Sequence, residues 1–207
     1  MSGRPVVAAF DFDGTITYRD TLLPFLLRLA GWGALLRAAV VMLPTLLGYG
    51  LRLIPNGVAK ERVLQHFLAG MDDAALRRAG EDYARAQLPV MVRPAALARL
   101  HWHQRQGHRC VVISASIEHY VAPWARAAGF HDCLATRLAQ DGAGRLSGHY
   151  AGENCYGAEK ERRLRQLLGG LANVEIYAYG DSRGDRELLA LADHAYYRTM
   201  PGEGDGA

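Results

Sequence analysis

Residues 6–15 read VVAAFDFDGT, a run of five apolar residues followed at once by a segment with two aspartates, a glycine and a threonine. Strands buried in a parallel sheet have this apolar composition because other elements cover both of their faces. We therefore expect a strand over Val6–Phe10. We expect Asp11 and Asp13 to lie in a loop at its carboxyl end.

Four later apolar runs predict further strands: Cys110–Ile113, Cys133–Leu138, Val174–Tyr179 and His194–Tyr197. Helical patterns lie between them, at Pro94–Gln106, Glu118–Ala128, Ala158–Leu168 and Arg186–Leu191. Alternating strands and helices are typical of an α/β fold with a doubly wound, Rossmann-like parallel sheet. Residues 137–150, with Asp141-Gly142 at their middle, predict a β-hairpin instead.

The connection between the first two predicted strands is far longer than the fold requires, since a strand-helix-strand unit takes about 30 residues. The surplus is helical in pattern, with helices expected at Leu22–Leu29, Gly33–Leu51, Val58–Phe67 and Asp73–Gln87. We interpret residues 19–92 as a helical cap inserted after strand one. Residues 1–18 and 93–200 then form the α/β core, and 201–207 a disordered tail. A cap at this edge would cover the site and exclude water.

The composition of the 207 residues, 50% hydrophobic and 22% charged, is that of a globular protein with a buried core. A net charge of +3 without long basic runs argues against a nucleic-acid partner. Cys110, Cys133 and Cys155 are odd in number and fit no zinc spacing. Reduced thiols in a cytoplasmic protein are the expectation, and the first residues lack the features of a signal peptide.

One uncharged stretch, AAVVMLPTLLGYGL at 38–51, complicates this reading. It is shorter than the about 20 residues that span a bilayer, and it contains Pro44. A buried or partly buried helix pair is the first interpretation. Peripheral contact of residues 33–54 with a membrane surface is the alternative.

Polar residues follow three of the predicted strands, namely Asp11, Ser114 and Asp181. Because the carboxyl ends of parallel strands lie side by side, these groups are expected to converge. Asp11 and Asp13 supply two carboxylates in different surroundings, so that one can attack as a nucleophile while the other serves as general acid. The competing interpretation is a solvated strand-to-loop turn.

Ser114 and Ala115 follow the second strand and precede a predicted helix. Their hydroxyl and backbone N–H groups could bind phosphate oxygens at the helix N-terminus. Helix capping is the alternative, and we assign that role to Ser116. Lys160, near the start of a predicted helix, is either a surface lysine or a ligand of a phosphoryl group.

The segment GDSRGD at 180–185 brings Asp181 and Asp185 to the end of the fourth strand. Mg²⁺ prefers oxygen ligands, and Asp11, the Asp13 carbonyl and Asp181 would supply part of its coordination shell. Asp185 would bind directly or through water. The alternative is an acidic turn that caps a helix.

The motifs in this order, from Asp11 to Asp185, resemble those of the haloacid dehalogenase superfamily. The helical insertion resembles the phosphoserine-phosphatase-like branch, subfamily IB. The resemblance implies a Mg²⁺-dependent phosphatase in which Asp11 attacks phosphorus and forms an aspartyl-phosphate. Asp13 would protonate the leaving group and then activate water, while Ser114 and Lys160 would hold the phosphoryl oxygens.

Three positions differ from phosphoserine phosphatases: Asp20 stands where a Glu is usual, Ala115 replaces Gly, and Gly184 replaces Asn. The apolar stretch is also similar to that of bacterial phosphatidylglycerophosphate phosphatases. The predicted substrate is therefore a small or lipid phosphate. A phosphotransferase on the same scaffold, a membrane-associated lipid phosphatase and a non-catalytic phosphate-binding protein are the alternatives.

Overall fold

Seven strands form two sheets in a computed structural model that describes residues 4–202. In chain order the strands are β1 (Val6–Phe10), β2 (Arg109–Ile117), β3 (Asp132–Thr136), β4 (Leu138–Gln140), β5 (Leu146–Tyr150), β6 (Glu175–Gly180) and β7 (His194–Tyr197). The main sheet has the order β3-β2-β1-β6-β7 and is parallel throughout. The predicted hairpin is the antiparallel pair β4-β5.

Strand β1 lies at the centre of the main sheet. Its side chains alternate between two apolar layers: Ala8 and Phe10 pack on one face, Val7 and Ala9 on the other. Both faces of the sheet are therefore covered, which confirms the predicted α/β fold with a parallel sheet. Phe10 is in register with Val112 of β2 and Tyr179 of β6, so the carboxyl ends of these three strands lie together.

Residues 4–202 contain eight α-helices: α1 (Leu22–Val41), α2 (Leu43–Gly50), α3 (Asn56–Leu68), α4 (Asp73–Ala86), α5 (Pro94–Arg105), α6 (Glu118–Ala127), α7 (Ala158–Leu167) and α8 (Arg186–Ala190). Helices α1 to α4 lie in the connection between β1 and β2, where the insertion is predicted. The limits of core and cap as separate domains stay a prediction. Of the predicted tail, residues 203–207 lie outside the described part of the chain.

The helix boundaries in the insertion differ from the prediction. The predicted gap between the helices Leu22–Leu29 and Gly33–Leu51 is absent, because α1 runs through it. Within α1, Gly31 is non-helical, at φ 77° and ψ 168°. Glycine adopts this conformation without the steric cost that a Cβ would impose. The break falls instead at Met42, two residues before Pro44, which lies in the first turn of α2, where its missing N–H costs nothing.

The predicted strand Cys133–Leu138 also differs, because it belongs to two sheets. Strand β3 ends at Thr136, and after Arg137 the chain begins β4 of the hairpin. The Thr136 hydroxyl donates to the Ala115 carbonyl at 2.8 Å and accepts from the Cys155 N–H at 3.0 Å. These contacts anchor the chain where it leaves the main sheet. The apolar sequence alone does not show that residues up to Thr136 pair with β2 and residues from Leu138 pair with β5.

Contacts of α3 and α4 hold the inserted helices to the rest of the molecule. Helix α4 packs on α6, where Asp73 is 2.8 Å from the His119 ring. Helix α3 packs on β5, where the Tyr150 hydroxyl donates to the Gly57 carbonyl at 3.0 Å. Glu61 of α3 also accepts the Tyr150 N–H at 3.1 Å. These contacts join α4 to α6 and α3 to β5.

Candidate active site

Asp11 is the first residue after β1 and is 5% exposed. Its N–H donates to the Tyr179 carbonyl at 2.9 Å, which continues the pairing between β1 and β6. Its Oδ1 accepts from Lys160 Nζ at 2.5 Å, and its Oδ2 accepts from the Thr15 hydroxyl at 3.2 Å. Burial raises the pKa of Asp11 to about 7, against the opposing charge of Lys160. The carboxylate is thus fixed at the carboxyl edge of the sheet.

The Asp13 carboxylate has different surroundings. Its Oδ1 accepts from the Thr21 hydroxyl at 2.6 Å and from the Thr21 N–H at 2.8 Å. Its Oδ2 accepts from the Ser116 hydroxyl at 2.5 Å. Burial raises the pKa of Asp13, and the charge of Asp20 raises it further, against the effect of these hydrogen bonds. Burial and the charge of Asp20 thus shift this carboxyl group towards the protonated form, whereas the donated hydrogen bonds oppose that shift.

Gly14 permits the turn that follows Asp13. It has φ +81°, and a Cβ at this position would lie 2.3 Å from Asp181 Oδ2. Both the backbone conformation and the space therefore exclude a larger residue. The absent side chain lets the loop after β1 approach the loop after β6.

Lys160 comes from the first turn of α7 and is 2% exposed. Its Nζ donates to Asp11 Oδ1 at 2.5 Å and to Asp185 Oδ1 at 2.6 Å. Burial lowers the pKa of Lys160, but the charges of Asp11 and Asp185 outweigh it, and the net effect is a raised pKa. The ammonium group is therefore charged, and the interpretation as a surface lysine is wrong.

Asp181 and Asp185 follow β6. Asp185 Oδ2 accepts from the Asp181 N–H at 3.2 Å, from the Ser182 N–H at 3.0 Å and from the Ser182 hydroxyl at 2.8 Å. It therefore shapes the loop that carries Asp181. One carboxylate oxygen from each of Asp11, Asp181 and Asp185 lies within 4.8 Å of the other two. Burial, followed by the charge of Asp185, raises the pKa of Asp181.

This cluster fits a divalent cation. Among residues 4–202, the buried Asp181 Oδ1 has no hydrogen-bond partner. Buried polar atoms are normally paired, and an orphaned carboxylate oxygen points to a ligand. Three carboxylates with one ammonium group leave uncompensated negative charge, and oxygen donors of this kind suit Mg²⁺.

The last residues of β2 contribute to the site, and the role of one of them differs from the prediction. Ser114 is buried, and its hydroxyl accepts from the Ser116 N–H at 2.9 Å. The predicted capping role of Ser116 is wrong, because its hydroxyl donates to Asp13 and no side chain caps α6. The reason is that β2 continues to Ile117, which moves the start of the helix beyond the serine. Ala115 lines the cavity over the site.

Lys60 is a site residue that sequence reasoning missed. It projects from α3, and its Nζ donates to the Ala115 carbonyl at 2.8 Å. Burial lowers the pKa of Lys60, against the charges of Asp13 and Asp20. Its rarity was the available signal, since only one other lysine occurs in the chain, but no motif linked it to Asp11. Asp20 caps α1 by accepting the Leu22 N–H at 3.0 Å.

A cavity of about 720 Å³ lies over these groups, a volume suited to a small-molecule site. One part of its wall is polar and charged: Asp11, Asp13, Lys60, Lys160 and Asp181. The other part is apolar and comes mainly from the inserted helices: Leu22, Leu23, Leu26, Leu46, Tyr49 and Val63. The cavity can therefore accept a ligand with a charged end and an apolar body.

Comparison with known proteins identifies relatives over most of the chain. A family model described as haloacid dehalogenase-like hydrolase matches residues 8–190. Protein CicA of Caulobacter vibrioides is 35% identical over 205 residues, which cover 98% of this chain and 90% of that protein. A probable phosphatase of Mycobacterium tuberculosis is 31% identical over 196 residues, which cover 91% of this chain and 67% of that protein.

Solved structures show the same architecture. A protein of unknown function from Bordetella pertussis Tohama I has a TM-score of 0.78 at 26% identity, covering 90% of this chain and 86% of its own. A substrate-bound phosphoserine phosphatase complex has a TM-score of 0.60 at 15% identity, covering 92% of this chain and 84% of its own. The second likeness shows the fold alone.

Proposed function

Because the chain belongs to the haloacid dehalogenase-like hydrolase family, we propose that it is a Mg²⁺-dependent phosphomonoester hydrolase that acts through an aspartyl-phosphate on Asp11. The observation that carries the proposal is the arrangement around Asp11. Its carboxylate touches the Lys160 ammonium group and lies beside Asp181 and Asp185, whereas Asp13 is held separately by hydroxyl groups. A nucleophile, its positive partner, a cation site and an acid are thus present together.

The proposed reaction has two halves. In the first, the Asp11 carboxylate attacks phosphorus, the bond between phosphorus and the leaving oxygen breaks, and Asp13 gives its proton to that oxygen. In the second, Asp13 takes a proton from water as the water oxygen attacks phosphorus. The bond from phosphorus to Asp11 then breaks. Inorganic phosphate leaves, and both carboxyl groups return to their starting states.

The chain would hold a Mg²⁺ ion through Asp11, Asp181, Asp185 and the Asp13 carbonyl. The orphaned oxygen of Asp181 and the close approach of its carboxylate to Gly14 support this assignment. When bound, the ion would supply positive charge against the phosphoryl group. Its charge would also favour the ionised form of Asp11, whose pKa burial raises.

The remaining groups would bind the phosphoryl oxygens. Lys160 is charged and adjacent to the nucleophile, and Ser114 and Ala115 lie in β2, the strand next to β1. Lys60 adds a second ammonium group from the inserted helix α3. Donors fixed before the substrate arrives stabilise developing charge without reorganisation.

The decisive variant is Asp11→Asn, assayed on a generic aryl phosphate. The amide keeps the shape of the side chain but cannot attack phosphorus, so turnover is expected to fall by about 10³-fold or more. Asp82→Asn, at an exposed carboxylate of α4, is the matched control and should retain full activity. Circular dichroism would show that both variants are folded. Turnover retained in a folded Asp11→Asn protein would disprove the covalent mechanism.

A lipid phosphate is the second candidate substrate, because the apolar wall of the cavity lies next to the charged groups. The test compares glycerol 3-phosphate with monoacylglycerol 3-phosphate, which share the phosphoryl group. An apolar wall that contacts the substrate would give the acylated compound the higher kcat/KM. Equal values would favour a small phosphate. The free thiols of Cys110, Cys133 and Cys155 support a cytoplasmic location for either activity.

A further inference from the structure

The insertion exposes apolar side chains over one continuous segment, residues 32–53, which we call the Trp32–Leu53 surface. Among residues 4–202, sixteen large apolar side chains are exposed, and ten of them belong to this segment. The ten are Trp32, Leu36, Val40, Val41, Leu43, Leu46, Leu47, Tyr49, Leu51 and Leu53. Exposed apolar residues are ordinarily scattered singly, and such a concentration marks a protein or membrane contact.

The charged residues in and next to this segment of the chain are all basic. The sequence contains no acidic residue between Asp20 and Glu61. The same interval contains Arg28, Arg37 and Arg52, whose side chains are exposed, together with Lys60. Positive charge beside exposed apolar residues complements a bilayer that carries anionic lipids, because such bilayers attract both features.

The surface is built to lie on a membrane rather than to cross it. Helix α1 has the length and composition of a spanning helix, but its first half is fixed in the molecule. Phe25 and Leu26 are 1% exposed, and Thr21 before them holds Asp13. The parts that remain are the second half of α1 and the eight residues of α2. At about 1.5 Å per residue, neither reaches across the about 30 Å of a hydrocarbon core.

The surface is continuous with the cavity over the site. Leu46 and Tyr49 are exposed members of the Trp32–Leu53 surface, and both line the cavity. A membrane in contact with α2 would therefore lie beside the apolar wall of that cavity.

From these observations we infer that the Trp32–Leu53 surface binds peripherally to a bilayer containing anionic phospholipids. Its apolar side chains enter the interface, and Arg28, Arg37 and Arg52 contact the headgroups. The binding does not depend on catalysis. The consequence that lipid-borne phosphates reach Asp11 from the membrane does rest on the proposed function.

The experiment is flotation of the full-length protein with phosphatidylcholine vesicles prepared with and without phosphatidylglycerol, at low and high salt. The protein should float with the anionic vesicles, float poorly with the zwitterionic ones, and be released by salt. Trp32→Ser/Leu47→Ser and Arg28→Glu/Arg37→Glu should each lower the bound-to-free ratio by about tenfold or more. None of these four side chains lines the cavity, so activity on a soluble aryl phosphate should be unchanged.

Matched controls make the same chemical changes elsewhere. Val90→Ser/Tyr197→Ser removes two exposed apolar side chains outside the surface, and Arg78→Glu/Arg126→Glu reverses two exposed charges on α4 and α6. Both controls should float like the unmodified protein. Equal losses in the controls would overturn the assignment of binding to this surface.

Two other outcomes would also overturn the inference. One is failure of the unmodified protein to float with anionic vesicles at low salt. The other is a dimer in solution that Trp32→Ser/Leu47→Ser dissociates, without vesicle binding, since a second copy would then cover the surface. Flotation by a protein that hydrolyses no phosphomonoester would leave the membrane surface established and remove only the proposed function.

Discussion

Lys60 and Lys160, the two lysines of the chain, line the same cavity but have different partners. Lys160 forms ion pairs with two buried carboxylates, whereas Lys60 donates to a backbone carbonyl. Substitution of each by Met keeps much of the aliphatic stem and removes the charge. The two variants would show whether the charge of Lys160 stabilises the fold and whether that of Lys60 binds the substrate.

We expect Lys160→Met to lower the free energy of unfolding by about 3–5 kcal/mol, because it leaves Asp11 and Asp185 buried without their positive partner. It should also abolish activity. Lys60→Met should change stability less and should act mainly by raising KM for a phosphate ester. Urea denaturation and steady-state kinetics provide the two measurements. Equal stability losses in both variants would contradict the different roles.

Burial of His103 is expected to lower the free energy of unfolding at acidic pH. The side chain of this histidine is completely buried. Its Nε2 lies 2.8 Å from the Tyr179 hydroxyl, and burial lowers its pKa from 6.5 to about 3. The native state therefore keeps His103 neutral where the unfolded chain binds a proton.

The sign of the effect follows from this difference in proton uptake. The contribution of His103 is complete above pH 6.5 and is lost as the pH falls toward 3, with a slope of at most about 1.4 kcal/mol per pH unit. His103→Gln cannot take up the proton, so its unfolding free energy should fall less steeply over this range. Urea titrations at a series of pH values test this, and parallel curves for the two proteins would refute it.

The positions of the acidic residues of the candidate site could be predicted from the sequence more easily than those of the residues that contact them. Asp11, Asp13 and Asp181 could be placed because each follows an apolar strand, and parallel strands end at one edge. Ser116 and Lys60 could not, because their roles depend on where β2 ends and on how α3 lies over the sheet. Those are properties of tertiary packing, which local patterns do not contain.

At the level of elements, the contact between α4 and α6 is unusually close. A Cβ placed on Gly80 would lie 2.2 Å from the His119 backbone oxygen. The two helices therefore approach to a distance that only glycine allows, and the same contact supports the bond between Asp73 and His119.

Gly80→Ala and Gly33→Ala form a matched pair. Alanine normally stabilises a helix interior by up to about 1 kcal/mol relative to glycine, and a Cβ added at Gly33 would have only Arg37 within 4 Å. Gly33→Ala should therefore raise Tm. Gly80→Ala should lower Tm, because forcing the helices apart costs about 1–3 kcal/mol. Scanning calorimetry measures both, and a rise in Tm for Gly80→Ala would show that the two helices adjust without cost.

The predicted bounds of the strands and helices agree with the structure in some places and differ in others. The bounds of β1 are those predicted, because a buried central strand is apolar along its whole length. The predicted strand Cys133–Leu138 was wrong as a single element, since its residues pair with two different sheets. The break at Met42 was missed because Pro44 is tolerated in the first turn of the following helix.

At the level of the whole molecule, a cation bound at the proposed site would add to stability. A ligand that binds the folded chain at about 100 times its Kd contributes about 2.7 kcal/mol. Mg²⁺ is therefore expected to raise Tm by several degrees, and EDTA should remove both this shift and the activity. Asp181→Asn should lose the shift, whereas Asp82→Asn should keep it. A shift of equal size in Asp181→Asn would place the ion elsewhere.

The central position of β1 in the sheet has a consequence for folding during translation. Asp11 is translated early, yet its ammonium partner is 149 positions away, and its neighbours β2 and β6 follow much later. Contacts between distant parts of a chain form slowly, because a large loop must close first. Until α7 and β6 have emerged from the ribosome, the nascent protein carries an apolar strand with an incomplete set of neighbours. The site around Asp11 is therefore complete only after α7 and β6 have been synthesised, and a chain that lacks them exposes apolar surface that favours aggregation.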